Sequence, residues 1–172
     1  MSMIFGFRML SDEDDNFIRD YEIPYDMTLK DFYRFICGDL NYNDKEMSSF
    51  FLSNDNWEKL KEFTSEDMGF GNDAEDELAP VAMENVLLGQ IIRKQKERLI
   101  FVFDMLGDRA FFLELTQSKK REDGYEYPRV VLANGDAPDQ YDATKPTNNK
   151  SIFEEMMDDF NDFEGDDSYD DE

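Results

Sequence analysis

The chain has no histidine. That removes the side chain most often used for proton transfer near neutral pH. A single cysteine, Cys37, excludes an internal disulfide and leaves no thiolate set for zinc. No apolar run reaches the ~18 residues of a membrane-spanning helix. The start, MSMIFGFRML, has neither the basic opening nor the sustained apolar stretch of a secretion signal. A cytoplasmic protein with no membrane partner is the expectation. Basic residues are scarce, 18 against 42 acidic ones, for a net charge of −24. That excess repels nucleic acid over most of the surface, so direct nucleic-acid binding is not expected. Phosphate-binding glycine loops, dinucleotide fingerprints and nucleophile elbows are missing as well.

What is present is aromatic. Phe, Trp and Tyr make up 15% of 172 residues, with 16 Phe, which calls for a packed interior rather than a disordered chain. Ile4 to Leu10 and Phe17 to Ile23 alternate apolar and polar with period two, predicting two strands across the acidic turn Ser11 to Asn16. Thr28, with Asp31 three residues on, opens a helix whose apolar positions are Leu29, Phe32, Tyr33, Ile36, Cys37 and Leu40, with Gly38 near its end. Ser49 to Ser53 reads as a short strand, Trp57 to Phe63 as a helical turn and Glu66 to Pro80 as an exposed loop. Met83 to Ile92 reads as a second helix, and Tyr127 to Leu132 as the last strand.

The most informative stretch is Leu99 to Thr116, two apolar runs meeting at the turn Met105-Leu106-Gly107-Asp108-Arg109. Its first run is apolar on both faces, which places it centrally in a sheet. An antiparallel hairpin here would bring its two outer ends side by side, gathering Arg93, Lys94, Lys96 and Arg98 with Lys119, Lys120 and Arg121 into one basic patch. The patch suits an acidic partner or phosphate; as plain solvated charge it would also guard an edge strand.

Other candidates carry less. Asp104 and Asp108 flank the turn and, with Asp136, are weak metal candidates; aspartates at such places more often bond local backbone N–H groups. Asp12, Asp14 and Asn16 imitate the start of a calcium loop, but Phe17 replaces its glycine and Ile23 its glutamate. Cys37 lies on the apolar helix face as a structural thiol. After a linker over 142–150, the tail 151–172 holds 11 acidic and no basic residues. Within its expected short helix, 152–163, Phe153, Met156, Met157, Phe160 and Phe163 form one stripe of the kind that docks in a groove.

Three stretches resemble the plasmid pRiA4b ORF-3-like family: Thr28, Leu29 and Asp31 after a strand hairpin; Phe103, Asp104, Gly107 and Asp108; and Tyr127-Pro128 followed by Gly135 and Ala137-Pro138. The resemblance spans about Ile4 to Tyr141 and implies an α+β domain over 1–141. The chain departs from the family's pattern by one extra residue between Asp104 and Gly107. Ala110 or Phe111 stands where the family has Trp, no His follows, and a Pro-rich acidic phrase is shortened to Ala137-Pro138-Asp139-Gln140-Tyr141. The family implies no settled activity.

The expected architecture is α+β, a mostly antiparallel sheet with two or three helices on one face plus an acidic C-terminal tail. The expected function is a non-catalytic interaction or regulatory module that uses the basic patch and the tail, needs no cofactor and engages a protein partner. The alternatives are a metal-assisted enzyme using the carboxylates at the 104–108 turn, or an acidic mimic of nucleic acid.

Overall fold

The computed structural model describes residues 3–69, 79–93 and 97–142. It divides into two compact units, Met1–Gly135 and Asp136–Glu172, and the second is described only over 136–142. There the Asp139 carboxylate accepts from the N–H groups of Tyr141 (2.8 Å) and Asp142 (3.1 Å). The linker beyond Asp142 and the tail 151–172, with its expected helix and stripe, lie outside the described residues.

The first unit is dominated by one sheet. In chain order its elements are β1 (Met3–Ser11), β2 (Ile18–Pro24), α1 (Leu29–Leu40), β3 (Ser49–Ser53), β4 (Lys61–Thr64), β5 (Val81–Ala82), a 3-10 turn (Met83–Asn85), α2 (Leu88–Ile91), β6 (Arg98–Asp104), β7 (Arg109–Lys120) and β8 (Arg129–Asn134). The spatial order is β5-β4-β3-β6-β7-β1-β2-β8. All neighbours are antiparallel except the short parallel pair β4–β5, so the sheet is mixed. As the two-sided apolar pattern predicts, β6 is central, and Leu99 to Phe103 are all buried.

The helix at Thr28 forms as its sequence dictates. The Thr28 hydroxyl accepts the Asp31 N–H at 3.0 Å, and the buried positions are Leu29, Phe32, Tyr33, Ile36, Cys37 and Leu40. It runs past Gly38 because Leu40 still belongs to the buried stripe, and it closes at Asn41 in the left-handed conformation (φ 60°). The helix sits on one face of the sheet through rings. Phe32 stacks on Phe50 at 5.5 Å and 10°, lies 5.5 Å from Phe7 and meets Tyr21 edge-on at 6.4 Å. Tyr33 meets Phe101 at 5.8 Å.

Two helical expectations fail, each for a local reason. Trp57 to Phe63 is a turn into β4. The Asn54 side chain accepts the N–H groups of Asn56 and Glu58, Trp57 adopts φ 59°, and the Leu60 N–H closes onto the Leu52 carbonyl at 2.9 Å. Met83 to Ile92 breaks into the 3-10 turn and a four-residue α2, leaving α1 as the one long helix among the described residues. Backbone pairing with the segment before α1 outcompetes the continuous helix. Leu29 N–H donates to Val86 O, Leu88 N–H to Met27 O and Gly89 N–H to Tyr25 O, all within 2.9 Å. The glycine is required, because a Cβ at residue 89 would meet the Tyr25 ring at 2.7 Å.

A three-element tie fixes the end of β8. The Arg19 guanidinium donates to the carbonyls of Ile18, Asn134 and Gly135 and to Asp39 on α1 at 3.1 Å. The Tyr21 hydroxyl donates to the same Asp39 oxygen at 2.7 Å.

Candidate functional site

At the tip of the β6–β7 hairpin Asp104 works locally, while Asp108 reaches a lysine distant in sequence. Asp104 Oδ1 accepts the Gly107 N–H at 3.0 Å, and its other oxygen lies 3.6 Å from Arg109. Asp108 adopts φ 53° and pairs with Lys59 at 2.6 Å. Arg109 is itself held by both oxygens of Glu13 (2.9 and 3.0 Å), joining this turn to the β1–β2 turn. In that second turn the Asp14 carboxylate accepts the Asn16 N–H. Asp136 is exposed in the second unit. Among the described residues no group of three or more Asp, Glu or Cys side chains is arranged to hold a metal ion. Cys37 is buried, and burial first, then the charge of Asp44, pushes its thiol up to about 12.

Among the described residues, Arg98 of the first basic cluster does not meet the second. Register places Arg98 opposite Glu114, while β7 continues beyond it to Lys120, pairing there with β1. Lys119 therefore lies five residues, about 17 Å, further along the strand. Arg98 is occupied: it pairs with Glu114 at 3.6 Å, donates to the Asp55 carbonyl and lies 4.5 Å over the Trp57 ring. Arg93 donates to the Gln90 carbonyl. Lys94 and Lys96 lie outside the described residues.

In place of the first cluster, Arg129 of β8 joins the second. Lys119 and Arg129 both reach Glu22, each at 2.8 Å. The Glu22 carboxylate is almost fully buried, which alone would raise its pKa; hydrogen bonds from Lys119 and Arg129 outweigh that and hold it below the ordinary carboxylate value. Arg121 lies 4.9 Å over the Tyr127 ring and Arg129 4.3 Å over Tyr125, with the two rings 6.5 Å apart. Lys120 is exposed. The β7 and β8 termini thus bring four cations, Lys119, Lys120, Arg121 and Arg129, to one end of the sheet. Arg129 was missed because only cross-sheet register, not local spacing, reveals it.

The sheet face away from α1 carries two ordered rows. Phe51, Ile100, Phe112, Leu10 and Ile18 are consecutive partners across five strands, an apolar row that Trp57 covers in part, meeting Phe112 edge-on at 5.2 Å. Beside it run Arg98, Glu114, Arg8 and Asp20, alternating in sign. Arg8 and Asp20 form a two-pronged bond at 2.8 Å. These rows join the strands laterally through cross-strand pairing.

β8 closes one side of the sheet. Among the described residues no strand lies beyond it. Val130, Val131 and Leu132 are 36, 48 and 42% exposed. Val131 is the bulge residue, between the partners of Tyr21 and Asp20.

The family model described as plasmid pRiA4b ORF-3-like protein matches residues 8–168, running past Tyr141 into the acidic segment. A crystal structure of a protein of unknown function from Methanosarcina mazei Go1 is similar in fold, with a TM-score of 0.61 at 14% identity over 77% of this chain and 70% of that one. No curated protein matches the chain significantly.

Proposed function

The chain belongs to the plasmid pRiA4b ORF-3-like family, and from that premise we propose that it is a non-catalytic interaction module whose cationic sheet end engages an acidic segment of a protein partner. The observation that carries this reading is the gathering of Lys119, Lys120, Arg121 and Arg129 by the β7 and β8 ends in a chain of net charge −24. Local attraction survives the global repulsion because salt screens charges beyond about 8 Å at physiological ionic strength. Lys119 and Arg129 are anchored by Glu22, which holds the site in shape, and Lys120 and Arg121 supply the charge that meets the partner.

The chain's own acidic tail has the composition such a site would recognise. A synthetic peptide of residues 151–172, titrated into the protein, should shift the amide resonances of Lys119 to Arg121 and of Arg129. The double reversal Lys120→Glu with Arg121→Glu should abolish those shifts. Tighter binding to a chain ending at Lys150 than to the full chain would show that the tail competes in regulating the site. Unmoved resonances in both chains would sink the proposal.

A further inference from the structure

We infer that the outer edge of β8 is a strand-addition site for an extended peptide whose body is uncharged and whose C-terminal end is acidic. The inference rests on the proposed function above and names the segment that the site would take.

An edge strand presents a row of backbone N–H and C=O groups able to pair with another chain. Proteins blunt such edges with lysine, inward charges, proline or bulges. Of these β8 has the bulge at Val131; Pro128 precedes the strand rather than interrupting it. Three consecutive large apolar residues, Val130, Val131 and Leu132, stand well exposed along it. Acidic residues make up 42 of 172, yet none occurs from Tyr127 to Gly135. The edge is therefore an apolar, acid-free strip in an otherwise anionic molecule.

Charge fixes the occupant and its direction. β8 begins at Arg129, and the cations gather at that end: Arg129 beside Lys119 on Glu22, and Arg121 over Tyr127, two residues before the strand. A peptide added antiparallel to β8 ends its own strand there, so its acidic residues must be C-terminal. Main-chain bonds along the edge would give affinity, and the cationic end would set polarity. A second copy of the chain is a poorer fit, since it would bring −24 against −24.

Two probe peptides test this on the full chain: Thr-Val-Thr-Val-Thr-Glu-Glu-Glu and its reverse, Glu-Glu-Glu-Thr-Val-Thr-Val-Thr. Hydrogen exchange of the amides of residues 130–134 should slow about tenfold or more with the first and far less with the second. Lys120→Glu with Arg121→Glu should remove most of the difference. Shifts confined to Lys119–Arg121, without protection of β8, would overturn strand addition and leave the proposed acidic recognition standing. Equal protection by both peptides, unaffected by charge reversal, would overturn the acidic occupant together with that reading. Protection that rises with protein concentration and no peptide would assign the edge to a second copy and overturn the inference.

Discussion

Replacing Asp39 by Ala should cost about 3 kcal/mol and loosen the far end of β8. Asp39 is the shared acceptor for Arg19 (3.1 Å) and for the Tyr21 hydroxyl (2.7 Å). Their side chains are little exposed, 9% for Arg19 and 16% for Asp39, so solvent screening that makes surface pairs weak applies only in small part. A hydrogen bond to a charged group is worth about 1.5–3 kcal/mol, and breaking a buried ion pair about 3–5. Arg19 keeps its carbonyl acceptors on Ile18, Asn134 and Gly135, which places the loss at the lower part of that range. With a urea slope of roughly 2 kcal/mol per molar, the unfolding midpoint should fall by about 1.5 M with the slope unchanged. Hydrogen exchange at Ala133 and Asn134 should accelerate more than at β6, because the guanidinium that clamps the Asn134 and Gly135 carbonyls loses its anchor. Asp39→Asn, which retains an acceptor oxygen, should lose about half as much. A loss below about 1 kcal/mol for Asp39→Ala, or uniform exchange through the sheet, would refute the tie between α1, β2 and β8.

Four further outcomes follow from the geometry. Cys37, with its thiol pushed from 9.0 up to about 12, should resist iodoacetamide at pH 9 in the folded protein and react readily in urea. Because its folded pKa is raised, the neutral thiol's contribution to stability is complete below pH 9 and is lost as the pH climbs towards 12; Cys37→Ala should flatten that alkaline limb in urea titrations. Glu22 shows the opposite sign: its folded pKa is lowered, so its contribution is present above the ordinary carboxylate value and disappears on acidification below it, and Glu22→Gln should reduce the acid dependence of the unfolding midpoint. Gly135→Ala should cost at least about 1–2 kcal/mol in thermal or urea unfolding, since residue 135 holds φ 79° and a Cβ would lie 2.7 Å from the Asn16 carbonyl oxygen.

Local patterns were readable wherever one interaction range decided the outcome. Period two located β1 and β2, and the Thr28 cap with its apolar stripe located α1 down to its six buried positions. The central place of β6 followed from its apolar faces. What failed depended on partners distant in sequence. Met83 to Ile92 has helical spacing, but its carbonyls and N–H groups are claimed by Tyr25, Met27 and Leu29. The basic patch depends on such partners too. Six residues of β7 beyond Glu114 carry Lys119 and Lys120 away from Arg98 and towards β1, and β2–β8 register delivers Arg129 instead. Of the turn aspartates, Asp104 makes the local backbone contact that its spacing implies, whereas Asp108 pairs with Lys59, a partner that no local spacing reveals.

The most direct test of the central claim is the dissociation constant of the 151–172 peptide for the wild-type chain and for the Lys120→Glu, Arg121→Glu double variant, at low and at physiological salt. Saturable binding that weakens about tenfold or more on charge reversal, with a salt dependence that the variant loses, is the predicted result. Affinity that is the same for both proteins at either salt would contradict the account.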